Sequence, residues 1–125
     1  MHKDDVYQFA QELMQAVWIP FNPSRLADFY HLDVVGHHRN QTLSLADIEN
    51  RLLWDRANIV DSHYDIKDVV ADTDRFSIRF LYTATLTKSG ENLSVDVVYF
   101  YSMRESKIDK FWTLASIDFD YNEKP

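Results

Sequence analysis

Apolar positions change their spacing once along this chain, near residue 60. Before that point they recur at helical intervals, and after it they alternate as in strands. Residues 4–18, DDVYQFAQELMQAVW, put Val6, Phe9, Leu13 and Val17 on one helical face, with Asp4 or Asp5 placed to cap the start. IPFNP breaks the pattern. A short second helix, SRLADFY, follows, capped by Asn22 or Ser24 with Pro23 near its first turn. LDVVGHHRNQTLS predicts a short strand and a turn. Ser44 opens a third helix over 45–57, where Ser44 and Asp47 match a capping box and Ile48 and Leu52 share a face.

Beyond residue 60, HYDIKDVVAD, RFSIRFLYTATLT, NLSVDVVYFYSM and KIDKFWTLASIDFDY are rich in β-branched and aromatic residues. DTD, KSGE and RES between them are turn chemistry. Four consecutive antiparallel strands therefore follow three helices that have one short strand among them. That segregation means an α+β fold, with helices packed on one face of a curved sheet.

Composition narrows the functional classes. The length, 125 residues, suits one domain over 1–125, and 46% hydrophobic residues are enough for a sizeable core. No apolar run approaches the roughly 18–20 residues that span a bilayer. MHKDDVYQFAQELM lacks the basic-then-apolar pattern of a signal peptide, so a cytoplasmic location is expected. The absence of cysteine excludes disulfides and thiolate chemistry. A net charge of −7, with scattered basic residues, argues against nucleic acid and anionic membranes as partners. Two glycines in the whole chain leave no P-loop, no G-x-G-x-x-G and no G-x-S-x-G, and no cofactor is expected.

VVGHHRN, residues 34–40, holds two adjacent histidines. Successive strand residues point to opposite faces, so His37 and His38 cannot share one metal ion. His31 and His63 lack ligand-like spacing, and no metal is expected.

DFYHLDVVGHH (28–38), SLADIENRLLWDRA (44–57), IKDVVADTDRFSIRF (66–80) and VDVVYFYSMRESKIDKFW (95–112) follow in an order that resembles the nuclear-transport-factor-2-like superfamily. Within it, the resemblance is to the SnoaL-like group of small polyketide cyclases, isomerases and their relatives. It implies a cone: a strongly bent antiparallel sheet wraps the long N-terminal helix and leaves an apolar pocket at the open end. It implies less about reaction, because the superfamily hosts isomerases, hydrolases, dehydratases, cyclases and pure binders.

Carried over residue by residue, the resemblance gives candidate roles. In the related ketosteroid isomerases the general base is an aspartate eight residues after a tyrosine in Y-A-D-D. Here that tyrosine matches Tyr30, in YHLD, and His38 takes the base position. His38 then faces the pocket, His37 faces outward, and Gly36 leaves space beside His38. An imidazole exchanges protons near neutral pH and suits a base. Tyr99, in VDVVYF, stands where the isomerase acid donates to the developing enolate, and a phenol also donates one hydrogen bond. The helical tyrosine of the isomerase oxyanion hole falls at Met14, which donates nothing. The acid that cyclases and epoxide hydrolases carry on the last strand falls near Thr113 or Ser116. The expected ligand-binding lining is Met14, Trp54, Phe80, Tyr82, Val97, Tyr101, Phe111 and Thr113, with Phe76 and Ile78 on the same face. Trp54 either packs the core or closes the pocket rim.

Strand parity puts Arg79, Asp96, Val98, Phe100, Trp112 and Leu114 on the outer sheet face. That face is apolar enough to imply a homodimer, as in many relatives. DIENR and DYNEK read as solvated charge. Two functional readings remain. The missing helical donor and terminal acid favour a non-catalytic domain that binds a small apolar molecule. The alternative is a cofactor-independent isomerase, cyclase or dehydratase acting on a small polyketide- or steroid-like carbonyl compound, with His38 as base and Tyr99 as donor. The two are separated by whether His38 and Tyr99 reach a common cavity.

Overall fold

The computed structural model describes residues 2–117. Helix α1 spans Lys3–Leu13 and widens into a π-helical turn over Met14–Trp18, closed by Ile19 N donating to Met14 O at 2.7 Å. The start differs from expectation. His2 is the cap, its Nδ1 accepting from Asp4 N at 3.2 Å. Asp4 and Asp5 lie inside the first turn, where negative charge meets the positive end of the helix dipole.

Asn22 caps a 3₁₀ turn, Pro23–Arg25, that runs into the one-turn helix α2, Leu26–Phe29. Tyr30 is already extended and opens β1, Tyr30–His38, so the second helix is shorter and the first strand longer than expected. β2 is Gln41–Leu43. Helix α3, Leu45–Asn58, starts at the expected capping box: Asp47 N donates to Ser44 Oγ and Ser44 N to Asp47 Oδ2. The meander follows as β3 (Ile59–Ala71), β4 (Arg75–Leu86), β5 (Asn92–Arg104) and β6 (Lys107–Ala115). The residues DFDY at the end of the last predicted strand, and DYNEK, lie outside the described residues.

The six strands form one sheet in the order β2-β1-β6-β5-β4-β3. Every neighbouring pair is antiparallel except β1 and β6, which are parallel. The sheet is therefore mostly, not wholly, antiparallel. No tight hairpin joins β1 to β6, so nothing forces the chain to reverse between them. Register shifts bend the sheet, two of them in β3, between Val60 and His63 and between Ile66 and Asp68. The turn between β5 and β6 has two consecutive left-handed residues, Glu105 (φ 51) and Ser106 (φ 67), the pattern of a type I′ hairpin.

The concave face of the sheet holds the core. Val6, Ala10, Leu13 and Val17 of the N-terminal helix are buried, as are Ile48 and Leu52 of α3. Phe9 meets Phe29 and Phe76 edge-on, each at 5.8 Å between ring centres. Phe76 is thus core, below the cavity. Among the described residues, no helix is long and apolar enough to cross a membrane.

Candidate functional site

Strand pairing aligns the inward side chains in rows. His38 pairs with Thr113, Thr113 with Tyr99, and Tyr99 with Ile78, which gives one row across β1, β6, β5 and β4. The next row is Ala115, Val97 and Phe80; beyond it stand Val95, Tyr82 and Tyr64. Over these rows lie Leu13, Met14 and Trp18 from the N-terminal helix, and Arg51 and Asp55 from α3. Together they enclose a cavity of about 110 Å³.

His38 is buried at 5% exposure and lines this cavity. His37 points the other way and stacks on Trp112, ring centres 5.5 Å apart and planes 16° from parallel. Of the expected lining, Met14, Phe80, Tyr82, Val97, Tyr101 and Thr113 face the cavity, and so does Tyr99. Ser116 does not; just past the end of β6, its Oγ accepts from Asp96 N of β5.

Two expected lining residues lie elsewhere. Phe111 sits over Gly36: a Cβ at Gly36 would be 2.1 Å from the Phe111 ring. The space Gly36 leaves is therefore filled by protein, not left beside His38 for a ligand. Trp54 is buried at 7% exposure but belongs to the core. Consecutive helix residues are about 100° apart, so turning Asp55 toward the cavity turns Trp54 away from it.

Asp55 and Arg51 are charged lining residues that sequence reasoning missed. Arg51 belongs to DIENR, expected to be solvated, yet it lines the cavity while its Nη2 donates to Gln41 Oε1 at 3.0 Å. Asp55 is 6% exposed, and its Oδ1 has no hydrogen-bond partner among the described residues. Burial pushes its pKa up to about 8, with Arg51, one turn earlier, pulling the other way. The signal was present: Ile48, Leu52 and Asp55 are spaced four and three apart, so the acid continues the buried stripe of α3. Trp18 was missed too. It lines the cavity from the N-terminal helix, and Trp18 and Tyr101 pull down a Tyr30 phenol pKa that burial raises.

Tyr99 is an intact donor. Burial raises its pKa, opposed by a hydrogen bond with Thr113, so the phenol keeps its proton. Its ring is held between Phe80 and Tyr101, at 6.0 and 5.1 Å between centres with planes within 10°. Among the described residues, no three His, Cys, Asp or Glu side chains are grouped to hold a metal ion.

The profile of the SnoaL-like polyketide cyclase family matches residues 8–116. The chain belongs to that family. Its solved relatives share the cone. AclR of Streptomyces galilaeus, a candidate hydroxylase, is 19% identical with a TM-score of 0.79, over 91% of this chain and 80% of its own. IdmH of Streptomyces antibioticus, a candidate polyketide cyclase, is 15% identical with a TM-score of 0.74, over 88% and 91%. A SnoaL-like polyketide cyclase of Agrobacterium tumefaciens is 19% identical with a TM-score of 0.72, over 93% and 92%. At these identities the likeness among SnoaL-like proteins establishes the fold alone. A search of curated proteins by sequence finds no match.

Proposed function

We propose that this SnoaL-like domain is a cofactor-independent acid–base enzyme of the isomerase, cyclase or dehydratase type, acting on a small, largely apolar carbonyl compound. The observation that carries the reading is the cross-strand row of His38, Thr113 and Tyr99, which opens on one cavity. His38 takes a proton from the carbon next to the ketone. The Tyr99 hydroxyl, steadied by Thr113, donates to the ketone oxygen as negative charge develops there. Aromatic walls from Phe80, Tyr82 and Tyr101 exclude water and strengthen that interaction. Met14 adds no donor from the helix, so Tyr99 carries the oxyanion role on the sheet side.

The test needs no natural substrate. 2-Tetralone has acidic hydrogens beside its ketone, and their replacement by deuterium in D₂O is followed by NMR. The wild type is expected to accelerate exchange. His38→Ala should lose roughly 100-fold or more of that rate, and Tyr99→Phe about 10- to 100-fold. His37→Ala, on the outer face, should stay within about twofold, since a surface change there leaves the chemistry untouched. Tight binding of 2-tetralone with exchange no faster than in His38→Ala would leave ligand binding, without catalysis, as the function.

A further inference from the structure

The cavity has polar groups at two places, and the row of His38, Thr113 and Tyr99 uses only one of them. The other is on α3. Asp55 is buried, lines the cavity and has a carboxyl oxygen without a hydrogen-bond partner among the described residues, with Arg51 one helical turn before it on the same wall. A buried polar atom without a partner costs free energy unless something completes it. No described residue completes Oδ1, and the atom belongs to a residue that faces the cavity.

We infer that Asp55 forms a second polar subsite whose neutral carboxyl donates a hydrogen bond to an acceptor oxygen of the ligand, distant from the ketone held at Tyr99. The ligand class this selects is an apolar compound with two acceptor oxygens, such as a diketone, in place of a simple monoketone. The assignment rests on the acid–base reading above for which ketone lies at Tyr99, and on α3 alone for the second oxygen.

The electrostatics fit a donor. Among the described groups that line the cavity with Asp55, Arg51 comes from its own helix, His38 from β1, Tyr64 from β3, Tyr82 from β4, and Tyr99 and Tyr101 from β5; the N-terminal helix offers none that titrates. Burial raises Tyr82, Tyr99 and Tyr101, so these phenols stay neutral across the range in which Asp55 changes charge. Burial likewise holds Asp55 protonated up to about pH 8. Below that point the carboxyl has a proton to give to a carbonyl oxygen. Above it a carboxylate would face the lone pairs of the same oxygen and repel them.

The experiment compares matched probes that differ only in the second oxygen. 1,4-Diacetylbenzene and 4-isopropylacetophenone have nearly the same shape, and the pair is repeated with the 1,3-isomers. Binding is measured by calorimetry from about pH 6 to pH 10, a range that brackets the Asp55 transition. The wild type should prefer one of the diketones to its isostere by about tenfold at the low end, the worth of one hydrogen bond in a dry site. The preference should vanish at the high end. Asp55→Leu should remove both the preference and its pH dependence. Asp55→Asn, whose amide still donates, should keep the preference and lose the pH dependence. As a measurement independent of binding, infrared spectra of the wild type should show a protonated carboxyl band that disappears across the same range and is missing in Asp55→Leu.

No preference for either diketone, including failure of every probe to bind, overturns the subsite. So does a preference that survives unchanged in Asp55→Leu. Failure of the acid–base reading looks different: the pH-dependent preference persists while 2-tetralone exchange is no faster than in His38→Ala. In that case the subsite stands as part of a binding pocket.

Discussion

At the scale of single residues, Asp55 links the cavity to stability. Its carboxyl moves from an ordinary value of 3.8 to about 8 on folding, because burial disfavours the charged form. Between those values the folded chain holds a proton that the unfolded chain releases. The contribution of Asp55 to stability is therefore fully present below pH 4, is lost as pH rises toward 8, and levels off above it. The full span is on the order of 5 kcal/mol. Asp55→Asn removes this ionisation, so its urea midpoint should exceed that of the wild type most clearly at pH 8–9, with the difference shrinking toward pH 4.

Gly36 gives a second prediction. Alanine there would drive a methyl into the Phe111 ring. Overpacking of this kind costs about 1–3 kcal/mol. Phe111→Leu in the same chain should recover part of the loss, which a double-mutant cycle of unfolding free energies would show as coupling. Single residues also mark the limit of what the sequence disclosed. Strand alternation and the spacing from Tyr30 were sufficient to send His38 inward and His37 outward. Asp55 was passed over because an acid in the run LLWDRA reads as solvent-facing until its phase against Ile48 and Leu52 is counted. Phe111 was misplaced because parity gives a face, not a depth along it: the inward direction was right, and Gly36 beneath it set the destination.

At the scale of elements, α3 is the piece that brings Arg51 and Asp55 to the cavity, and its phase is set at the Ser44–Asp47 capping box. Ser44→Ala should cost about 1 kcal/mol. It should also weaken diketone binding more than the distant Thr85→Ala, as measured by the same calorimetry, because fraying at the cap loosens the helix that carries the subsite. Element order and most boundaries were legible, since apolar periodicity and turn residues are local signals. Two features were not. The π-helical turn over Met14–Trp18 differs from an α-turn by one residue of hydrogen-bond spacing, and five residues are too few for periodicity to separate them. The parallel pairing of β1 with β6 joins segments about seventy residues apart, and no local pattern in either records it.

At the scale of the whole molecule, the outer face of the sheet remains to be covered. Val70, Phe100, Trp112 and Leu114 are 67, 51, 45 and 64% exposed, and pairing places Trp112 beside both Phe100 and His37. Arg79 crosses the same face, its Nε and Nη2 donating to Asp96 and its Nη1 to Asp68, so its charge is matched within the chain. A second copy of the chain is the expected cover, in a two-fold arrangement that places like strands across the axis. Sedimentation velocity at micromolar concentration should give a dimer, and Trp112→Glu should give a monomer that retains 2-tetralone exchange. A monomeric wild type would remove the proposal.

The parallel joint between β1 and β6 has a consequence for biosynthesis. β1 leaves the ribosome before the meander, yet its sheet neighbour on the cavity side is β6, the last of the described strands to be made. Until β6 arrives, β1 can pair only with the three residues of β2, and His38 has no Thr113 beside it. At a synthesis rate of roughly 5–20 residues per second, this interval lasts several seconds. For that time the nascent chain carries a helical half with an unfilled apolar face. Closure then depends on a contact of high sequence separation, which is slow to form. Chaperone demand should therefore peak before β6 emerges, and a chain stalled ahead of Lys107 should expose its hydrophobic interior to proteases even though α1, α2 and α3 have already been translated.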